Sequence, residues 1–191
     1  MSQNEEVSEL SERVFLKLRT NRLRLVLAES CTAGLIAAEL GHLPGVSEVL
    51  AGSFVVYQIE SKIRWLQINS STIDRYGVVS REVAEAMATG ALQMSPHADV
   101  SLSVTGHVGP NAPEELDGVV WVSVADSQGL ESRRFQVGPL FGSDETGRLS
   151  ERSREVIAIR TSRQVRVVFH CLTFLDEFIL RNRMQGESSE C

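Results

Sequence analysis

A serine stands among small residues at the point where a predicted strand gives way to a predicted helix. The apolar run Leu23–Ala28 predicts a buried strand, and the Ala- and Leu-rich stretch Cys31–Leu40 predicts a helix. Ligands bind beyond the carboxyl ends of strands in open α/β sheets, where helix N-termini offer unpaired N–H groups. Ser30 is therefore a candidate nucleophile, although serine is also a common helix cap. The candidate oxyanion and substrate-binding amides are those of Cys31, Thr32, Ala33 and Gly34.

A lysine is the candidate base for this serine. Lys62 lies in a short predicted helix after the strand predicted over Ala51–Tyr57. Lysine can take a proton from serine when desolvation or a cationic neighbour lowers its pKa. Tyr57 lies at the end of the apolar run. The alternatives are an exposed helical lysine and a half-buried aromatic residue with its hydroxyl at the rim.

A third segment joins a predicted strand over Asp99–Thr105 to a Gly/Pro turn. Thr105 could hydrogen-bond the base or the nucleophile. Gly106 would let the backbone approach a ligand closely, because it has no side chain. For Thr105 the alternative is an ordinary β-branched strand residue.

Other reactive residues show no second site. The three cysteines and four histidines have no metal-ligand spacing, so we expect neither a metal site nor a disulfide framework. Cys31 is a conceivable nucleophile at a helix start, but cysteine also packs readily in interiors. Glu29 could orient Lys62 or Tyr57, or it could be a first-turn helix acid favoured by the dipole.

Composition narrows the class of protein. The chain has 191 residues and a net charge of −6, which argues against a general nucleic-acid binder. Arginines late in the chain could still bind one phosphate. Without a stretch of 18 apolar residues we expect no membrane span, and the acidic, polar N-terminus does not have the pattern of a signal peptide. Reduced cysteines fit a cytoplasmic location.

The elements that position these residues alternate between strand and helix in the first half of the chain. Val119–Ala125 and Ser132–Val137 predict a strand pair, Gly138–Ser150 a loop, and much of Arg154–Arg181 a long helix. The pattern predicts one domain over residues 1–184, a three-layer α/β/α sandwich with a mixed, mostly parallel sheet. Residues 185–191 are expected to form a disordered tail.

Four motifs together carry a resemblance to a known family. AESCTAG at 28–34, the Tyr57–Lys62 pair, YGVVS at Tyr76–Ser80, and a TGxxGP turn followed by Trp121 occur in the same order as in the CinA C-terminal domain. That family includes nicotinamide-nucleotide amidase. The resemblance implies a five-stranded mixed sheet, a homo-oligomer, and hydrolysis of the carboxamide of nicotinamide mononucleotide to nicotinate mononucleotide and ammonia. No cofactor is implied.

Carried over by position, Ser30 matches the family's nucleophile and Lys62 its general base. Tyr57 and Thr105 match their hydrogen-bonding support. The family binds the substrate phosphate through an arginine in a Gly-Asp-Arg segment before the last helix. That segment is absent here, and Arg160 is the nearest candidate.

The chain departs from the family pattern around the presumed substrate pocket. Ala33 stands where the family usually has glycine, and the turn reads GHVGPNAPEELDG at 106–118 in place of a GIAGP turn. Two hypotheses therefore stay open. One is an amidohydrolase with a Ser–Lys pair, and the other is an inactive or respecialised member that acts as a nucleotide-binding or interaction domain.

Overall fold

The structure, a computed structural model, describes residues 3–109, 112–138 and 149–187. Its five strands form one sheet in the order β2-β1-β3-β4-β5. The strands are β1 (Leu25–Glu29), β2 (Leu50–Val55), β3 (Val100–Gly106), β4 (Val119–Asp126) and β5 (Leu130–Gln136). The helices are α1 (Gln3–Thr20), α2 (Leu35–Gly41), α3 (Ile59–Leu66), α4 (Ser70–Tyr76), α5 (Arg81–Met94) and α6 (Leu149–Glu187).

The sheet is mixed, as expected, but it is not mostly parallel. Strand β1 runs parallel to β2 and β3, whereas β3–β4 and β4–β5 are antiparallel pairs. The described residues between β3 and β4 include a 3₁₀ turn but no α-helix, and a tight turn joins β4 to β5. The short turn between β4 and β5 allows only an antiparallel pair, and the β3–β4 connection, residues 107–118, shows among its described residues none of the α-helices that usually carry a parallel crossover. The α/β fold class is confirmed, and the expectation that most strand pairs are parallel is wrong.

Two apolar cores lie on the two faces of the sheet and make the three layers. In β1, Leu25 and Leu27 belong to the core shared with α1, α2 and α6. Val26 and Ala28 belong to the core shared with α3, α4 and α5. Successive strand residues point to opposite faces, so a run of buried residues without polar alternation is typical of a central strand covered on both sides.

Helix α2 begins later than the sequence pattern predicts. We expected it to start at Cys31, but residues 31–34 form turns and α2 starts at Leu35. Ala33 and Gly34 have φ angles of 55° and 94°. The left-handed region cannot continue a right-handed helix, so these two residues hold Ser30 in a tight turn ahead of the helix.

The C-terminal helix is longer than expected. It runs from Leu149 to Glu187, beyond both ends of the predicted Arg154–Arg181. Pro139 is the last proline of the chain, so nothing after it removes a backbone donor from the helix. Residues 139–148 of the predicted loop and 188–191 of the predicted tail lie outside the described residues, while 149–150 and 185–187 are helical. In the described part of the chain, no helix is long and apolar enough to cross a bilayer.

Candidate active site

Adjacent strand ends bring the candidate residues together. The amide of Ser30, directly after β1, donates to the carbonyl of Val104 in β3 at 3.1 Å. The amide of Val56, directly after β2, donates to the carbonyl of Glu29 at 2.8 Å. Backbone hydrogen bonds therefore continue the parallel pairing one residue past each strand. This fixes Ser30 at the carboxyl edge of the sheet, where open α/β proteins bind ligands.

Lys62 reaches Ser30 from the next element. Its Nζ lies 3.0 Å from Ser30 Oγ, 2.6 Å from the Val56 carbonyl and 3.4 Å from the Tyr57 carbonyl. Lys62 is only 2% exposed, although it lies on the short helix α3. The predicted proximity of the serine and the lysine is confirmed, and the alternative of a solvent-facing lysine is wrong.

Burial makes this lysine a usable base. Desolvation lowers the pKa of Lys62 from 10.5 to about 8. No carboxylate forms an ion pair with Lys62 among the described residues, and the one opposing cause, the charge of Cys31, raises the pKa of Lys62 less than burial lowers it. At pH 7 about one tenth of such a group is neutral, against roughly 0.04% of an ordinary lysine. Neutral Lys62 can keep its N–H bonds to the carbonyls and accept the serine proton.

Cys31 is in the wrong state to be the nucleophile. Its thiol is buried, and burial raises the pKa of the thiol from 9.0 to about 12. The charges of Arg160 and Lys62 favour the thiolate but are smaller effects than desolvation. The thiolate is the reactive form of cysteine, so almost none is present at pH 7.

The turn after Ser30 engages two of the four amides that we expected to hold an oxyanion. The amide of Ala33 donates to the Ser30 carbonyl, and the amide of Gly34 donates to the Glu29 carboxylate. The amides of Cys31 and Thr32 donate to no oxygen among the described residues. The amides of Ala33 and Gly34 are therefore engaged within the turn, and those of Cys31 and Thr32 stay the candidates for an oxyanion.

Thr105 and Gly106 lie near the site but have other partners. The Thr105 hydroxyl donates to the Val78 carbonyl at 2.7 Å and bonds neither Ser30 nor Lys62 in the described structure. A Cβ at Gly106 would lie 2.3 Å from Val120 Cγ1, so its lack of a side chain serves packing against β4. The expected hydrogen bond from Thr105 is wrong, since its rotamer joins β3 to the segment before α5.

Tyr57 and Arg160 meet at the rim of the site. The Arg160 guanidinium donates to the Tyr57 hydroxyl at 2.5 Å and also to the Gly109 carbonyl. Tyr57 is half exposed, and only its backbone carbonyl contacts Lys62. The tyrosine hydroxyl is therefore not the support for the base that we expected. Its partner is Arg160, the residue that the sequence indicates as the nearest candidate for phosphate binding.

One face of α6 carries Gln164, which the sequence reasoning missed, and Arg163, one of the late arginines considered for phosphate binding. Gln164, one turn after Arg160, donates through Nε2 to the Cys31 carbonyl at 2.9 Å. Arg163 forms a buried bidentate pair with Asp117 at 2.6 and 2.9 Å. The spacing of Arg160, Arg163 and Gln164 is helical, so it could have indicated a common face. Their partners are distant in sequence and carry no local signal.

The described part of the chain contains no cluster of side chains that could bind a metal ion. No group of three or more His, Cys, Asp and Glu side chains is placed to hold an ion there. Cys31 and Cys171 are both free and buried thiols. The polar groups that converge at the carboxyl edge of the sheet are thus a hydroxyl, an amine, a guanidinium and backbone amides.

The fold and the site define an α/β protein with a buried Ser–Lys pair at the carboxyl edge of its sheet. The family model described as the CinA C-terminal domain matches residues 7–142. The chain therefore belongs to the CinA C-terminal domain family, and the resemblance seen in the four motifs is confirmed.

Individual relatives agree with this assignment. A CinA-like protein of Citrifermentans bemidjiense is 41% identical over 133 residues, which cover 69% of this chain and 32% of that protein. Another, from Mycobacterium tuberculosis, is 43% identical over 120 residues, or 62% of this chain and 27% of that protein. The chain thus spans about a third of the length of the curated relatives it matches.

Solved structures show the same architecture. A competence/damage inducible protein from Agrobacterium tumefaciens superposes with a TM-score of 0.75 at 29% identity, covering 89% of this chain and 93% of its own. A CinA superfamily protein from Klebsiella pneumoniae gives a TM-score of 0.78 at 24% identity, covering 92% and 98%. The second likeness shows the fold alone. None of these names specifies a substrate.

Proposed function

We propose that this protein hydrolyses the carboxamide of nicotinamide mononucleotide, giving nicotinate mononucleotide and ammonia. The observation that carries the proposal is the 3.0 Å contact between Lys62 Nζ and Ser30 Oγ. A catalytic base must lie within hydrogen-bond reach of the proton it takes, and this one also has its pKa lowered toward the working pH. The family resemblance supplies the substrate.

In the proposed mechanism neutral Lys62 takes the proton of Ser30 while Oγ attacks the carboxamide carbon. The carbonyl π electrons move to oxygen, and the amides of Cys31 and Thr32 hold the resulting oxyanion. When the intermediate collapses, the C–N bond breaks and the lysine proton passes to the departing nitrogen as ammonia. Water, deprotonated by the same lysine, then hydrolyses the acyl-serine ester to the carboxylate and free serine.

Arg160 is the proposed partner of the substrate phosphate. It is partly buried at the rim, where its guanidinium already meets a hydroxyl and a carbonyl oxygen. A phosphate is a stronger acceptor for the guanidinium than either of these neutral groups, because it carries the opposite charge and can accept two parallel N–H bonds from one arginine. Substrate binding would therefore exchange these contacts for bonds to phosphate and free the Tyr57 hydroxyl.

The second hypothesis, a nucleotide-binding domain without turnover, draws on the same residue. Arg160 donates to Tyr57 and Gly109 in the structure, and the Gly-Asp-Arg segment of the family is absent from the sequence. If these contacts hold a nucleotide away from Ser30, the protein would bind without releasing ammonia. Calorimetric binding in the absence of any ammonia would favour this reading.

Substrate and mechanism can be tested together with the purified chain. Nicotinamide mononucleotide and nicotinamide riboside, which lacks the phosphate, are offered separately while ammonia release is followed. We expect turnover of the mononucleotide, and a higher KM for it in Arg160→Met with the riboside rate unchanged. Equal loss on both compounds would contradict a phosphate role for Arg160.

The lysine is tested by Lys62→Arg, which we expect to be inactive because a guanidinium stays protonated. Lys17→Arg is the matched control, since Lys17 is the only other lysine and pairs with Asp176 far from the site. Turnover that survives Lys62→Arg would mean that another group is the base.

A further inference from the structure

Glu29 is a fully buried carboxylate that the proposed mechanism does not use. It is 0% exposed, and it forms no ion pair with any basic side chain among the described residues. A buried carboxylate is costly unless hydrogen bonds satisfy it. Five groups donate to its two oxygens, at 2.7–3.1 Å: Thr32 Oγ1 and the amides of Gly34 and Ile36 to Oε2, and the amide of Ala37 and Ser53 Oγ to Oε1.

These partners lie on three elements around the serine. The amides belong to the turn after Ser30 and to the first residues of α2, whereas Ser53 belongs to the neighbouring strand β2. The Glu29 side chain therefore ties the turn to two strands at once. An ordinary helix cap would bond only its own helix, so the contact with Ser53 shows a wider role than the first-turn acid we considered.

The same residue fixes the base through its main chain. The Glu29 carbonyl accepts the amide of Val56, and the Val56 carbonyl accepts Lys62 Nζ at 2.6 Å. One residue thus sets the place of Ser30 on one side and of the group that anchors Lys62 on the other. Neither Lys62 nor Tyr57 bonds its carboxylate in the described structure, so Glu29 does not orient them directly.

The donors require a carboxylate rather than an amide. The backbone N–H groups at Gly34, Ile36 and Ala37 cannot reverse, so both oxygens must accept. Glutamine could keep its oxygen toward Gly34 and Ile36, but its NH₂ would then face the Ala37 amide. Two donors would oppose each other at the start of α2. The turn that carries Ser30 would have to shift to relieve this contact.

We propose that Glu29 is a positioning residue that holds Ser30 Oγ in reach of Lys62. The expected effect on kcat rests on the proposed function, whereas the expected effect on the distance between Ser30 Oγ and Lys62 Nζ does not. Glu29→Gln lowers kcat about 10- to 100-fold with KM nearly unchanged, since a displacement near 1 Å can cost 100-fold and Glu29 touches no substrate. Glu39→Gln, at a partly exposed position of α2 that donates nothing to the site, is the matched control and retains the wild-type rate.

A fluorophosphonate probe separates positioning from substrate choice, because it labels an activated serine without any amide substrate. We expect Ser30 to be labelled in the wild type, and at least tenfold more slowly in Glu29→Gln. Labelling that slows in this variant while the wild type releases no ammonia would support the positioning role and contradict the amidase. A folded Glu29→Gln protein whose Ser30 is labelled at the wild-type rate would overturn the positioning role.

Crystal structures of the variants test the geometry without any reactivity. The Ser30 Oγ to Lys62 Nζ distance is expected to open beyond 3.5 Å in Glu29→Gln, from 3.0 Å in the wild type. If Glu29→Gln does not fold, Ser53→Ala removes one of the five donors and is expected to slow labelling about two- to fivefold. An unchanged distance in Glu29→Gln, or an unchanged labelling rate in Ser53→Ala, would overturn the proposal.

Discussion

The buried lysine makes the stability of the protein depend on pH in a way that one variant isolates. The perturbation is Lys62→Met, which removes the amine but keeps a side chain of similar length. The pKa of Lys62 is about 8 in the folded protein and 10.5 as an ordinary lysine. The unfolded chain therefore binds more protons than the folded chain between pH 8 and 10.5, so this group makes stability rise with pH across that window.

The size of the effect follows from the shift. A lowering of about 2.5 pKa units is worth about 3 kcal/mol at pH 7, at 1.36 kcal/mol per unit. By pH 10 less than about 1 kcal/mol of this penalty remains. The free energy of unfolding of the wild type should thus increase by about 2.5 kcal/mol relative to Lys62→Met between pH 7 and 10. Other groups titrate in both proteins and cancel in the difference.

Urea unfolding of both proteins at several pH values measures this difference. Side-chain NMR of ¹⁵N-labelled lysine gives the pKa directly, because the chain has only two lysines and Lys17→Arg assigns the signals. A difference in unfolding free energy that stays constant from pH 7 to 10, with Lys62 titrating near the ordinary lysine value of about 10.4, would refute the reasoning. Lys62 would then be solvated and no better a base than any surface lysine.

Three further substitutions test the frame around the pair. Ala33→Gly should stabilise the fold by up to about 1 kcal/mol in thermal unfolding, because Ala33 has a φ of 55°; a lower Tm would contradict the left-handed turn. Asp117→Asn should cost about 3–5 kcal/mol in urea unfolding, since it leaves the buried Arg163 guanidinium without its carboxylate; a cost below about 1 kcal/mol would argue against the pair. Gln164→Leu should lower kcat with little change in the free energy of unfolding, because it removes the hydrogen bond to the Cys31 carbonyl. A kcat equal to that of the wild type would show that α6 does not hold the turn.

The fold was largely predictable because its signals are local. Apolar runs mark the central strands, and Ser80 caps α5 by accepting the amide of Val83 at 3.2 Å, a role that serine commonly has at helix starts. The parallel share of the sheet was overestimated, since it depends on how β3 connects to β4. The late start of α2 was missed because Ala33 gives no sign in sequence of a left-handed backbone. Alanine is the best helix former, and tertiary contacts overrode that preference.

The site was predictable only in part. The proximity of Ser30 and Lys62 came from motif order, and no local pattern could have supplied it. The side-chain partners of Thr105 and Tyr57 were expected to be the catalytic pair, but their hydroxyls bond Val78 and Arg160. A hydroxyl takes the acceptor or donor that its rotamer reaches, and sequence does not fix that choice.

Ammonia release from nicotinamide mononucleotide by Ser30→Ala, beside the wild type and Cys31→Ala, tests the central claim most directly. The account predicts that the wild type turns over, that Ser30→Ala releases no ammonia above the uncatalysed rate, and that Cys31→Ala keeps most of the wild-type rate. Full activity in Ser30→Ala, or loss confined to Cys31→Ala, would contradict a serine nucleophile activated by Lys62.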